Sequence, residues 1–278
     1  MPQETKVDRL SALIQHFHVE AKVLPGKFAS AVNGQAHSSA PNLFIIGQGR
    51  LHISNTSFPA LDVEAPVLVF FPRGTPPDFT VQADAEDAGY ICATVNTGGD
   101  ENPIALALPD VVNVPLDVAT PLQAVTEILL EEARSPRCGG RAIIGRLCEI
   151  VIIRLLRHLI ESGKTKVGLL AGLAHQNLSL AIVAIHDNPE RNWHLEDLAN
   201  VAGMSRTHFA NTFRKIVGVT PGAYLSNWRL TLARVEIAKG TPVKAIVRMV
   251  GFSSSAALSR AFTRRYGISP RKEHARSA

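Results

Sequence analysis

GMSRTHFANTFRKIVGVTP occupies residues 203–221 and GFSSSAALSRAFTRRYGISP occupies residues 251–270, so the chain carries nearly the same short unit twice. The landmarks recur 49 residues apart: Phe213, Gly218 and Pro221 correspond to Phe262, Gly267 and Pro270. Two units are too few for a solenoid, which needs at least about three repeats. A duplicated functional unit is therefore favoured over a helical bundle whose segments are similar by accident.

The first copy has the pattern of two short helices joined by a tight turn. LEDLANVAG, at residues 195–203, is amphipathic and ends at glycine, a common helix terminator. Ser205 then stands where its hydroxyl caps a second helix, in which Phe209, Phe213 and Ile216 share one apolar stripe. The pattern predicts a helix-turn-helix, whose second helix has the size that enters a DNA major groove.

Residues on the free face of each second helix are the candidates for DNA contact, because the N-terminal part of such a helix meets base edges. In the two copies the candidates are Arg206, Thr207, His208, Asn211, Arg214, Ser255, Ala256, Ser259, Arg260, Arg264 and Arg265. Asn211 and Arg260 are predicted to read bases, since Asn pairs with adenine and Arg with guanine. Arg264 and Arg265 are predicted mainly to hold phosphates.

A helix of about 18 residues is predicted between the copies, in GAYLSNWRLTLARVEIAKG at residues 222–240. Its length would be about 27 Å, at about 1.5 Å per residue. Recognition helices that enter successive major grooves on one face of DNA lie about 34 Å apart. We therefore expect one chain to read two adjacent groove segments without dimerising.

The charge of the chain is concentrated in the same region. Residues 178–278 hold 15 Lys and Arg against 6 Asp and Glu, whereas residues 1–177 hold 14 against 18. From Leu198 onward, Glu236 and Glu273 are the acidic residues in the sequence. A basic C-terminal third beside a weakly acidic remainder indicates a polyanionic partner, and double-stranded DNA is the first candidate.

The first half of the chain has a different pattern. From about Leu43 to Val95, apolar runs of strand length alternate with Gly, Pro and Asp, which predicts a β-sandwich or barrel. Helices are predicted at 122–134 and 141–161, and a linker at 163–172. One face of the second helix is apolar at Ile144, Leu147, Cys148, Val151, Leu155 and Leu159. This stripe favours a homodimer about a two-fold axis; the alternative buries it against the β-rich domain.

Two groups of motifs carry a resemblance to a known family. WHLEDLANVAGMSRTHFANTFRKIVGVTPGAYLSNWRLTLA, at 193–233, and IVRMVGFSSSAALSRAFTRRYGISP, at 246–270, closely resemble the DNA-binding domain of AraC/XylS-type transcription regulators. In the first part, FFPRG, YIC, ALALPDVVNV and GLLAGLA are similar to landmarks of a branch whose N-terminal domain is a cupin. The first resemblance covers about residues 179–271, and the second, which is less specific, covers most of the rest.

The resemblance implies an α+β protein with a β-rich, cupin-like barrel and dimerisation helices, followed by an all-α domain with two helix-turn-helix motifs joined by a long helix. We expect a cupin-like sensor domain at 1–121, a helical dimerisation segment and linker at 122–178, and the DNA-binding domain at 179–278. The implied function is sequence-specific regulation of transcription in response to a small-molecule effector or a redox signal. Double-stranded DNA, a second copy of the chain and RNA polymerase are the implied macromolecular partners.

Two other functions compete with this interpretation. The β-rich domain would be a metalloenzyme fused to a DNA-binding module if it held a metal. We predict no metal, no cofactor and no enzymatic activity, because His37 and His52 are isolated and Pro76 to Asp78 stand where this cupin branch commonly has histidine. The other alternative is a chromatin-like DNA binder without a signal. One further departure from the family is His194, which stands in place of Thr or Ser and predicts a poorer cap for the following helix.

Three scattered cysteines indicate a reducing, cytoplasmic setting rather than a disulfide scaffold. A membrane helix needs about 20 apolar residues, and no apolar run in the sequence approaches this length. The start of the sequence also lacks an apolar signal-peptide core. Cys92 and Cys138 are the redox candidates. Cys92 lies in an apolar strand, where the resemblance places a sensing cysteine of some relatives, and its alternative role is that of a small core residue. Cys138 stands near Arg137 and Arg141, whose charges favour a thiolate, and its alternative is an incidental surface thiol.

Overall fold

The computed structural model describes residues 8–16, 20–23, 42–54, 60–74, 80–83, 90–96, 102–116, 120–134, 137–163, 165 and 167–277. These residues form two compact units, one within 18–159 and one that combines the residues before 18 with those from 160 onward. The sequence placed boundaries at 121/122 and 178/179 instead. Those boundaries stay predictions, and the division between the two units falls inside a helix that runs from residue 140 to residue 162.

The described residues of the β-rich unit form eight strands. They are β1 Glu20–Val23, β2 Leu43–Ile46, β3 Arg50–Ser54, β4 Leu61–Glu64, β5 Val67–Phe70, β6 Thr80–Ala83, β7 Tyr90–Asn96 and β8 Val112–Pro115. Five strands pair in the order β1-β7-β2-β5-β8 and three in the order β4-β3-β6, with every described ladder antiparallel. Among these strands no ladder joins the two sheets, and the chain passes between them in bends at 47–49 and 65–66. The expected barrel is therefore not closed.

Side chains from both sheets share one apolar core. Phe44 and Val69 of the larger sheet lie in the same buried cluster as Ile53 and Val63 of the smaller sheet. Strands β2 and β5 are buried along their whole length, which explains why their sequences, LFII and VLVF, are apolar without alternation. Of the two architectures that the sequence predicted, a β-sandwich describes this unit better than a barrel.

The described part of the β-rich unit also contains three helices: α2 Pro103–Ala107, α3 Pro121–Arg134 and α4 Gly140–Ser162. The last two agree with the predicted helices to within one residue at each end. Most of the predicted apolar stripe of α4 is buried within the chain itself, since Cys148, Val151 and Leu155 are fully buried. The buried part of the stripe is therefore not available to a second copy, whereas Ile144 and Leu147 at its start are half-buried.

The second unit is helical. Its elements are α1 Ser11–His16, α5 Leu169–Ala174, α6 Gln176–Asp187, α7 Leu195–Val201, α8 Arg206–Val217, α9 Pro221–Ala238, α10 Val243–Val250, α11 Ser255–Tyr266 and α12 Pro270–Ser277. Helix α1 packs on α6 with Leu13 buried, and the Arg9 guanidinium donates to the Leu173 carbonyl at 2.9 Å. The sequence assigned residues 8–16 to the sensor domain, but their apolar contacts lie in this unit.

The linker expected at 163–172 was only partly correct, because helix α5 begins at Leu169 and is almost wholly buried. Gly172 faces Ile182 and Val217 so closely that a Cβ atom there would lie 2.6 and 2.9 Å from their methyl carbons. The Gly168 amide also donates to the Ile216 carbonyl at 2.9 Å. Helix α5 is therefore part of the base that supports α8.

Candidate nucleic-acid interface

The first helix-turn-helix consists of α7 and α8, joined by a turn at Gly203, whose φ of +62° favours glycine. The His194 amide at the start of α7 donates to the Asp197 carboxylate at 2.9 Å. A carboxylate inside the first turn thus satisfies a backbone amide at the helix start, as the second half of a capping box does. The poorer cap expected from His194 is offset by Asp197.

Helix α8 has the caps that the sequence predicted and most of the predicted buried stripe, although Ile216 is only half-buried. The Ser205 hydroxyl accepts from the His208 amide at 3.4 Å, and the helix ends at Gly218 with φ +87°. Phe209 and Phe213 are fully buried, with ring centroids 5.5 Å apart. Because these rings fix the rotation of α8 about its axis, the opposite face is held toward solvent.

All five predicted contact residues of α8 lie exposed on that outer surface: Arg206, Thr207, His208, Asn211 and Arg214. On α11 the exposed predicted residues are Ser255, Ala256, Arg260 and Arg264, while Ser259 is half-buried. Arg265 differs from Arg264, because it is half-buried and its guanidinium lies 5.3 Å from the Tyr266 ring centroid. Its reach toward a phosphate is therefore shorter than the sequence suggested.

The second helix-turn-helix, α10 and α11, repeats these features. The Ser254 hydroxyl accepts from the Ala257 amide at 3.1 Å, and Leu258 and Phe262 are fully buried. Gly251 and Gly267 end the two helices with φ of +76° and +72°. The duplication read from the sequence is therefore a duplication of structure, with matching caps, buried residues and left-handed glycines.

The predicted connecting helix is α9, which has 18 residues and is capped by the Thr220 hydroxyl. Near its C-terminal end, Arg234 donates to the Glu273 carboxylate of α12 at 2.5 Å and lies 4.8 Å from the Tyr266 ring of α11. Glu236 pairs with Lys239 at 2.8 Å. Both acidic residues after Leu198 are thus engaged away from the outer faces of α8 and α11, which leaves those faces basic.

A buried aromatic cluster beneath the first helix-turn-helix was not foreseen from the sequence. His186 of α6 stacks on Trp228 of α9 with ring centroids 3.8 Å apart, and its Nε2 lies 2.6 Å from the Tyr224 hydroxyl. Burial, with a smaller effect from nearby His16, lowers the pKa of His186 to about 3. The imidazole is therefore neutral at physiological pH and serves as a packing group.

The three cysteines differ in their exposure to solvent. Cys92 belongs to the core between the two sheets, and burial raises its thiol pKa to about 12. The same effect raises the pKa of Cys148 to about 12. Because the thiolate is the reactive form, Cys92 fits the alternative role of a small core residue. Cys138 is exposed, so it is the more accessible of the two redox candidates.

Within the described ranges, no group of three or more His, Cys, Asp and Glu side chains could hold a metal ion. His52 pairs instead with Asp62 across two neighbouring strands at 2.5 Å, while His37 and residues 76–78 lie outside the described residues. The absence of a metal and cofactor stays a prediction. In the same part of the chain, no helix has both the length and the apolarity required to cross a membrane.

Comparison with known families matches two parts of the chain. Residues 8–161 match the cupin family, and residues 198–276 match a helix-turn-helix domain of AraC type. The chain belongs to the cupin family through its first part and carries a helix-turn-helix domain of AraC type in its last third. This agrees with the duplicated motif, the exposed basic faces and the β-rich first unit.

Named relatives are transcription regulators. An HTH-type transcriptional regulator of Haemophilus influenzae is 30% identical over 60% of this chain and 56% of its own length. The RCS-specific HTH-type transcriptional activator RclR of Escherichia coli is 29% identical over 67% of this chain and 68% of its own length. The solved DNA-binding domain of AdpA with target DNA is 27% identical, covering 37% of this chain and 93% of that one with a TM-score of 0.35. The chain spans a little over half the length of several of the curated relatives it matches.

Proposed function

We propose that this chain regulates transcription by binding a specific double-stranded DNA sequence through α8 and α11 of one molecule. The observation that supports this most strongly is the pair of capped helices with buried phenylalanines and exposed polar faces, connected by the 18-residue α9. The basic character of these faces supports attraction to phosphates. We further propose that the cupin domain senses a small molecule or a redox signal in the cytoplasm and that RNA polymerase is a partner of the DNA-bound form.

The proposal assigns different tasks to different exposed residues. Asn211 and Arg260 lie on the exposed faces of their helices, from which side chains can reach base edges in the major groove. Arg264 lies in the last turn of α11 and is exposed, so it contacts phosphate. The remaining exposed candidates on the two helices position the protein on the duplex. Arg265 is proposed to support α11 through the Tyr266 ring, with a phosphate contact as a secondary task.

Replacing Asn211 or Arg260 by alanine is expected to relax base preference at one position of the bound sequence. Each bidentate side chain contributes about 1–3 kcal/mol of discrimination. Arg264→Ala, the matched control, should weaken binding to all sequences alike, because phosphates carry no base identity. Selection of bound fragments from genomic DNA with each variant measures both effects. An unchanged selected motif for Asn211→Ala and Arg260→Ala would remove these residues from the proposed readout.

We also propose a homodimer, through a different part of α4 than the buried stripe. Ile143 and Ile150 are 45% and 40% exposed and lie two turns apart on the outer face, with half-buried Leu147 between them. An apolar row of this kind on a long helix can meet its own copy about a two-fold axis. Linking two DNA-binding units in this way raises their joint affinity for neighbouring sites.

Ile150→Glu is expected to convert the dimer to a monomer while leaving the fold intact, since the side chain is exposed in one chain but buried in the pair. The matched control is Leu106→Glu, which places the same charge at an apolar side chain that is 53% exposed on α2 of the same unit. Sedimentation of the full chain at tens of micromolar measures the change. A wild-type chain that sediments as a monomer would overturn the proposed dimer.

A further inference from the structure

The segment that leads into the first helix-turn-helix is held by an arginine of the connecting helix. Arg229 of α9 donates from Nε to the Pro189 carbonyl at 2.6 Å and from Nη2 to the Arg191 carbonyl at 2.8 Å. Both carbonyls belong to residues 188–194, which run from α6 to α7. The planar guanidinium can reach two acceptors at once with fixed geometry, which a lysine ammonium cannot do.

The same segment also contacts the second helix-turn-helix. Gly251, which ends α10, approaches Glu190 so closely that a Cβ atom there would lie 2.6 Å from both the Cα and the carbonyl oxygen of Glu190. That Cβ would also lie 2.9 Å from Nη2 of Arg229. We call this contact the clasp. It consists of residues 188–194, Arg229 and Gly251, and it joins the start of the first helix-turn-helix motif to the turn of the second.

The segment in the clasp is braced on its other side. The Trp193 indole donates to the Asn188 carbonyl at 2.9 Å, and the Arg191 guanidinium lies 4.0 Å from the Trp193 ring centroid. Trp193 itself is buried. These contacts hold residues 188–194 in one conformation. Arg229 therefore positions the start of α7 by binding this segment.

Helix α9 packs on each helix-turn-helix motif separately, through Tyr224 against Phe213 of α8 and through Arg234 against Tyr266 of α11. The connection to α8 is a short turn at residues 218–220, and the connection to α10 includes Gly240 with φ +83°. A direct contact between the two helix-turn-helix motifs, distant from both turns, restricts rotation of the motifs relative to each other at these turns. The clasp is that contact between the two helix-turn-helix motifs.

We propose that Arg229 is a positioning residue that sets the spacing between the two groove segments this chain can bind. The proposal rests on the proposed binding of DNA by both α8 and α11. One added base pair moves the second groove segment by about 3.4 Å and turns it by about 34–36°. A rigidly held pair of helices cannot follow that change, whereas a loosened pair can follow part of it.

The first test compares DNA sites with zero, one or two base pairs inserted between the two halves of the selected sequence. Wild-type full-length protein is expected to lose about tenfold or more in affinity for the first insertion, because the second helix no longer adds its contacts. Arg229→Ala and Arg229→Lys should bind the uninterrupted site more weakly, lose less than about threefold on insertion and bind an isolated half as wild type does. Lys244→Ala, which removes an exposed cation of α10 outside the clasp, is the control for charge and should keep the wild-type spacing profile.

The second test needs no DNA, so it distinguishes failure of this inference from failure of the proposed DNA binding. Nitroxide labels are placed at exposed positions of α8 and α11 through Lys215→Cys and Thr263→Cys, with exposed Cys138 changed to serine and buried Cys92 and Cys148 retained. Pulsed dipolar spectroscopy should give a narrow distance distribution for the wild-type background and a broadened one for both Arg229 variants. A distribution that stays narrow, together with unchanged spacing dependence, would overturn the assignment of Arg229; wild-type protein that binds no duplex would overturn only the proposed function.

Discussion

Gly251→Ala is expected to lower the free energy of unfolding by about 2–5 kcal/mol. Two independent effects add at this position. An L-residue in the left-handed region costs about 1–2 kcal/mol, and Gly251 has φ +76°. The added methyl group would also lie 2.6 Å from backbone atoms of Glu190, and relief of such overpacking costs about 1–3 kcal/mol. Backbone atoms cannot move aside as the end of a flexible side chain can.

Gly203→Ala is the matched control, because Gly203 is the corresponding glycine of the first copy. It has φ +62°, but its nearest neighbour to an added Cβ is the Asn177 amide nitrogen at 3.8 Å, an ordinary contact distance. Only the backbone effect applies there, so we expect a loss of about 1–2 kcal/mol. Urea unfolding of both variants measures the difference. Equal losses of unfolding free energy at the two positions would contradict the close contact between Gly251 and Glu190.

Acidification from about pH 7.5 to about pH 4.5 is expected to destabilise the helical unit by about 2–3 kcal/mol through His186 alone. Burial holds the pKa of His186 near 3 in the folded protein, whereas the ordinary imidazole pKa of 6.5 applies to the unfolded chain. Between these pH values the unfolded chain binds a proton that the folded chain does not bind. The free energy of unfolding therefore falls as the pH drops below about 6.5, by about 1.4 kcal/mol per pH unit.

Other groups also titrate in this interval, including His16, whose pKa is lowered by burial and by Lys239. His186→Gln isolates the contribution of His186, because an amide can still hydrogen-bond the Tyr224 hydroxyl but takes up no proton. Urea midpoints of the two proteins across this pH range should diverge, with a steeper decline in wild type. Parallel curves would show that His186 is not held neutral in the folded state.

The sequence predicted the helix-turn-helix pair well because its signals are local. Ser205 caps the helix that follows it, Gly218 ends the same helix in a left-handed conformation, and Phe209 and Phe213 are separated by one turn. Each of these features depends on residues within a few positions of one another. Local chemistry of this kind can be read without knowledge of the rest of the chain, and here it occurs twice.

The features that were missed depend on residues far apart in the sequence. Arg229 holds carbonyls about 40 positions earlier, and His186 stacks on Trp228 at a similar separation. Neither contact has a periodic pattern that would predict it. The apolar character of Leu155 was read correctly, but a sequence cannot tell whether such a residue faces the interior of its own chain or a second copy. The open sandwich likewise depends on which strands pair with one another, which strand composition does not specify.

The most direct test of the account is a footprint of the full-length protein on its selected DNA sequence, at saturating and at limiting protein. The account predicts two protected major-groove segments for each bound chain, about one helical turn apart on the same face of the duplex. Binding at the same site should weaken steeply as salt rises, because phosphate contacts release counterions. A single protected segment per chain, or uniform protection without a preferred site, would contradict the claim that one molecule reads two groove segments through α8 and α11.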